Sequence, residues 1–158
     1  MTTVLHTENS ALILHDLDEN MMEIVRQCVE TVDSELDVKP PVMVFGKVCH
    51  QNRSVGFYSD TSKGYNYSNK LMSSKQMHPC LRELLIYIND EFNYDYNGIL
   101  INKYSGGEDY IGKHSDDEKG LDSKVGVVAL SYGAVRNFRI RWKDTGSIVR
   151  DVPTEPNK

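Results

Sequence analysis

Two amphipathic helical stretches come first in this chain and short β-rich runs come after them. That order limits the folds open to it more than any other feature. From Asp18 to about Val32, the residues Met21, Ile24, Val25, Cys28, Val29 and Val32 fall on one helical face, and Asp18 is a natural N-cap. A second helix is expected to begin near Pro79, a residue suited to the first helical position. Leu81, Leu84, Leu85, Ile88 and Phe92 form its core-facing stripe. Strands are expected at Val42 to Val48, Gly98 to Tyr104, Val125 to Tyr132 and Asn137 to Trp142, with a turn at Gly133 between the last two. Asn52 to Ser74, rich in Ser, Gly, Asn and Tyr, reads as loops and hairpins, and only a polar tail follows Trp142. Helices followed by antiparallel strands predict an α+β fold with the two N-terminal helices packed on a sheet. No repeat, low-complexity tract or long linker divides the sequence, so residues 1–158 read as a single domain.

The bulk numbers exclude some functions. Hydrophobic residues make up 39% and charged residues 26%, an ordinary balance for a globular chain. No apolar run approaches the about 18–20 residues that a membrane-spanning helix needs, and the first residues lack the basic and apolar regions of a signal peptide. An intracellular protein without a membrane partner is the expectation. The three cysteines, Cys28, Cys49 and Cys80, lie far apart with no C-x-x-C spacing, which points to reduced structural thiols. A net charge of −5 argues against a protein coated in positive charge. Yet Lys124, Arg136, Arg139, Arg141, Lys143 and Arg150 cluster against a single acid, Asp144. Such a run fits a phosphate-contacting face or a strand edge guarded by charge, and charge alone does not choose between them.

The chemically informative stretch is Asn102 to Glu118, NKYSGGEDYIGKHSDDE. His114 and Asp116 are two apart, so in extended chain they point to the same side and can converge on one metal ion. Two histidines and one carboxylate on one face of iron(II) is the ligand set of non-haem oxygenases. The segment Asn102-x-Tyr104, then Asp109, then His114-x-Asp116-Asp117-Glu118 resembles the AlkB family of nucleic-acid dealkylases. Val44-Phe45-Gly46-Lys47 is similar to the apolar finger of its duplex-DNA members, and Tyr65-Asn66-Tyr67-Ser68 to the aromatic segment over the substrate pocket. Ser131-Tyr132-Gly133-Ala134 through Arg141-Trp142-Lys143-Asp144 resembles the strand pair after the metal loop. Together these cover roughly residues 40–150.

The resemblance implies Fe(II) and the cosubstrate 2-oxoglutarate, oxidative demethylation of alkylated bases in DNA or RNA, and release of formaldehyde. It implies His114 and Asp116 as iron ligands, and Asn102 and Tyr104 as donors to the 2-oxoglutarate carboxylates. It also implies Asp117 and Glu118 as acceptors at the base edge, and Tyr65 or Tyr67 as pocket lining. Val44, Phe45 and Gly46 would form the finger, with Phe45 an exposed wedge filling the gap left by a flipped nucleotide. An apolar run such as Val42 to Phe45 equally accommodates a buried strand phenylalanine.

The fold implied is a double-stranded β-helix (jelly-roll) core, which needs about eight strands. The sequence supplies this core incompletely. The family pattern has a second histidine ligand and carboxylate-clamping arginines further along, whereas no histidine follows His114 here. Three readings accommodate that gap: a fragment of a longer reading frame, which the intact upstream motifs favour; a second, completing chain; or a decayed relative. Activity of this chain alone is therefore in question. Two other functions stay open, a catalytically inactive nucleic-acid-binding module and a 2-oxoglutarate hydroxylase of a different substrate.

Overall fold

The computed structural model describes residues 1–8, 10–67, 70–116, 120–122 and 124–155. Its elements in chain order are β1 (Thr2–His6), β2 (Ala11–Leu14), α1 (Glu19–Val32), a 3-10 turn (Asp33–Glu35), β3 (Pro41–Val44), β4 (Lys47–His50), β5 (Ser54–Tyr58), β6 (Gly64–Tyr67), β7 (Lys70–Ser73), α2 (Pro79–Phe92), β8 (Ile99–Lys103), β9 (Asn137–Arg141) and β10 (Ile148–Pro153). This is a mixed helix and strand protein in which every named strand pair is antiparallel and two-stranded. The chain forms two compact units, one of Met1–Arg26 with Val128–Lys158, the other of Gln27–Val127.

Both helices form where the apolar periodicity places them. The Asp18 carboxylate accepts the Met21 amide at 2.7 Å, satisfying one of the free donors at the start of α1. Met21, Ile24, Val25, Cys28 and Val32 are all buried, so the predicted stripe is the real one. In α2, Pro79 occupies the first turn, Leu81, Leu84 and Ile88 are buried, and Asn93 ends the helix in a left-handed conformation.

The strands differ from the sequence expectation in four places. Val42 to Val48 is not one strand but a hairpin, β3 pairing β4 in the register Val44↔Lys47. Phe45 and Gly46 form its two-residue turn with φ of +47° and +77°, the positive pair that matches the twist of a tight hairpin. The stretch read as loops contains β5, whose five residues are all buried. Gly56 makes that possible, since a Cβ there would lie 2.9 Å from Leu36 Cδ2 and 3.0 Å from the Tyr58 ring. Val125 to Tyr132 forms no strand; the run crosses the boundary between the two units and enters no ladder among the described residues. Past Trp142 the chain is not merely a polar tail. It turns at Gly146, whose amide reaches the Trp142 carbonyl at 2.8 Å, and returns as β10 beside β9. Val152 of β10 is buried.

In the unit containing the termini, the β1–β2 hairpin was not foreseen from sequence. Arg150 donates to the Val4 carbonyl at 3.0 Å. Arg139 grips Asp151 with two nitrogens at 2.7 and 2.6 Å, directly across the β9–β10 ladder. Arg141 is bonded to the Gly146 carbonyl at 2.8 Å. Part of the basic cluster is thus engaged within its own ribbon.

Candidate metal centre

The centre of interest lies in the unit of Gln27–Val127 and is built on the β5–β8 ribbon. Val55, fully buried, stands opposite Asn102, so Asn102 is fixed on a strand whose partner cannot move. Tyr104 is half-buried one residue past the strand end. The chain then enters the loop that carries the metal motif.

That loop is tied down by Asp109. Its carboxylate accepts the Ser105 amide and the Lys39 ammonium, each at 2.8 Å, and its own amide closes onto the Gly106 carbonyl at 3.2 Å. The Lys39 ammonium and these backbone donors hold the Asp109 carboxyl below the usual carboxylate range. Next to it, the Tyr110 amide donates to the Asn52 carbonyl at 2.9 Å, anchoring the loop beside the entry to β5.

His114 and Asp116 follow. His114 Nδ1 lies 2.9 Å from the Gly112 carbonyl oxygen, which can only accept, so Nδ1 carries the proton. In the neutral ring this leaves Nε2 as a lone pair, and Nε2 sits 3.3 Å from Asp116 Oδ1. Two acceptors facing each other at that distance suit a cation held between or in front of them. Metal-binding histidines are commonly fixed this way, the far nitrogen donating to a carbonyl. The residues thus fit iron(II) as two of its ligands. Among the described residues no third histidine, cysteine or carboxylate joins them.

The aromatic segment meets this loop through Tyr67, whose ring stands edge-on to the His114 imidazole with centroids 6.3 Å apart. Tyr65 packs instead on Phe57 at 5.7 Å. Arg53, only 4% exposed, spans the interior of this region. Its Nε donates to Asn102 Oδ1 at 2.8 Å, and its guanidinium carbon lies 5.0 Å from the centre of the Tyr67 ring. Arg53 and Asp109 were not singled out from sequence as site residues. A basic residue just before a strand and an acid after a Gly-Gly turn were the only local signals.

At the tip of the β3–β4 hairpin, Phe45 is fully exposed and Val44 is 39% exposed, while Gly46 has open space around its Cα. The buried-strand reading of Phe45 is therefore wrong: the hairpin turns at that residue and points its ring outward. Asp117, Glu118 and Ser68 lie outside the described residues.

The family profile described as the 2OG-Fe(II) oxygenase superfamily matches residues 11–157. This chain belongs to the 2OG-Fe(II) oxygenase superfamily. Within that superfamily it is of the AlkB type. It is 32% identical over 123 residues to the DNA oxidative demethylase ALKBH2 of Homo sapiens, covering 78% of this chain and 47% of that protein. The Bos taurus ALKBH2 gives the same identity over the same length, with 44% of that protein covered. The human alpha-ketoglutarate-dependent dioxygenase alkB homolog 3 is 34% identical over 94 residues, 59% of this chain and 32% of that protein. The oxygenase chain described here thus spans less than half the length of these relatives.

Proposed function

We propose that this chain carries the substrate-facing and half the metal-binding part of an Fe(II)/2-oxoglutarate dioxygenase that oxidatively demethylates alkylated bases in nucleic acid. The observation that supports it most is the paired acceptor geometry of His114 Nε2 and Asp116 Oδ1 at 3.3 Å, with Nδ1 already engaged by Gly112. His114 and Asp116 hold iron(II), which when bound with 2-oxoglutarate supplies the oxidising power for hydroxylating an N-methyl group. Asn102 and Tyr104 orient the cosubstrate by donating to its carboxylates. Tyr67, edge-on to His114, forms the wall against which an extruded base stacks. Asp117 and Glu118 read that base's edge as acceptors, and the Val44-Phe45-Gly46 tip fills the vacated stack position.

The second histidine ligand and the arginines clamping the cosubstrate come from polypeptide outside the present sequence. With it, this chain completes one jelly-roll domain. A lone pair of ligands leaves one fixed coordination direction unsupplied, so turnover depends on that completion. The test is to incubate the protein with iron(II), 2-oxoglutarate and a methylated oligonucleotide and to follow succinate and formaldehyde. Restoration of both products by a C-terminally extended chain supports the proposal. Oligonucleotide binding without product, in the present and the extended chain alike, contradicts it and favours a non-catalytic binding module.

A further inference from the structure

Asn102 poses a chemical choice. Its amide offers an acceptor on one side and two donors on the other, and a cosubstrate carboxylate can use only the donors. Whichever group binds the oxygen therefore decides whether Asn102 can serve. In this structure that group is Arg53, whose Nε donates to Asn102 Oδ1 at 2.8 Å. Arg53 directly precedes β5, and Val55, two residues on, is paired with Asn102. Arg53 is thus a diagonal neighbour on the same face of the ribbon, within reach for a long side chain.

The guanidinium is itself held in place. It is 4% exposed, pairs with no carboxylate among the described residues, and stands 5.0 Å from the centre of the Tyr67 ring. Tyr67 in turn meets the His114 ring edge-on at 6.3 Å. A planar cation stacked on one side loses little further freedom by fixing a hydrogen-bond partner on the other.

We infer that Arg53 is a positioning residue for cosubstrate recognition: by occupying Asn102 Oδ1 it locks the amide with its NH2 group turned toward the 2-oxoglutarate carboxylate. It also ties the pocket-wall tyrosine to the same strand. This rests on the cosubstrate reading of Asn102 proposed above, and the experiment separates the two.

Two measurements are made on the full chain. The first uses metal-free protein with labelled asparagine and reads the Asn102 side-chain amide and Cγ resonances, in wild type and in Arg53→Met. The second titrates 2-oxoglutarate in the presence of manganese(II), which supports binding without turnover. It compares wild type, Arg53→Lys, Arg53→Met and Asn102→Asp. Removing the charge-assisted bond in Arg53→Met should shift the Asn102 resonances and weaken 2-oxoglutarate about tenfold, whereas Arg53→Lys, which keeps a donor, should stay within about threefold of wild type. Asn102→Asp keeps a partner for Arg53 but has no donor to turn outward. It should lose cosubstrate affinity by at least about tenfold with no fall in Tm, which guards against a misfolded Arg53→Met. Unchanged Asn102 resonances in Arg53→Met, or Asn102→Asp binding 2-oxoglutarate as wild type does, overturn the inference alone. A wild-type chain that shows the Arg53-dependent resonances but takes up no 2-oxoglutarate overturns the cosubstrate reading, and the inference falls with it.

Discussion

Replacing Phe45 separates a wedge from a core residue, because the two roles predict opposite balances of stability and binding. The ring is fully exposed at the hairpin tip, so Phe45→Ala removes no buried area. The folding free energy should then change by no more than about 0.5 kcal/mol. The backbone adds a sharper expectation. Phe45 sits at φ +47°, a left-handed conformation that costs a non-glycine residue about 1–2 kcal/mol. Phe45→Gly relieves that strain and gives back part of it as unfolded-chain entropy, leaving a net gain of about 0.5–1 kcal/mol. Binding should move the other way. An inserted aromatic contributes about 1–3 kcal/mol of stacking, so either variant should bind a methylated duplex roughly five- to hundredfold more weakly. Single-stranded oligonucleotide, which has no gap to fill, should bind as before. Urea denaturation measures the first effect, and fluorescence anisotropy with matched single and double strands measures the second. The reasoning is refuted by a stability loss above about 1.5 kcal/mol in Phe45→Ala, or by equal losses on both strand forms.

Three further expectations follow from the packing and charges. Burial first, and the neighbouring Cys80 second, push the Cys28 thiol up to about 12. Iodoacetamide at pH 8 should therefore label exposed Cys49 quickly and Cys28 only on unfolding, which mass spectrometry of timed digests will show. Glu35, Asp60, Asp109 and Asp151 are each held below the usual carboxylate range, chiefly by hydrogen bonds from His78, Arg82, Lys39 and Arg139 respectively. Folded values below unfolded ones mean that this stability is fully present above a pH of about 4 and lost as pH falls through the folded values. The urea midpoint should fall on acidification in that window, and a midpoint that held level to pH 3 would contradict the assignment of these pairs. A Cβ at Gly98 would lie 2.6 Å from Cζ of the buried Phe57 ring, so Gly98→Ala should cost about 1–3 kcal/mol, visible as a lower Tm.

The helices were legible because their information is local: an apolar stripe, an N-cap at Asp18, a proline at position 79. The hairpin at Phe45-Gly46 was not, since an unbroken apolar run hides a turn unless Gly46 is taken as its marker. β5 was hidden for a tertiary reason. Ser54-Val55-Gly56-Phe57-Tyr58 has modest hydrophobicity, and its burial depends on Leu36 and Tyr58 closing over Gly56. β10 depends on the turn at Gly146 and on pairing with β9. The same division runs through the metal centre. His114 and Asp116 were readable from a two-residue spacing. Arg53 and Asp109 act on partners 49 and 70 residues away, Asn102 and Lys39, and no local pattern encodes such contacts. For the tyrosines, alternation put Tyr65 and Tyr67 on one side of a strand, and only the folded chain brings Tyr67 to His114.

The most direct test of the centre itself is an anaerobic titration of the chain with iron(II), beside His114→Ala and Asp116→Ala. The account predicts saturable binding of one ion per chain, lost in either variant while the fold is retained by circular dichroism. Binding that both variants preserve would contradict the assignment of His114 and Asp116 as the iron ligands.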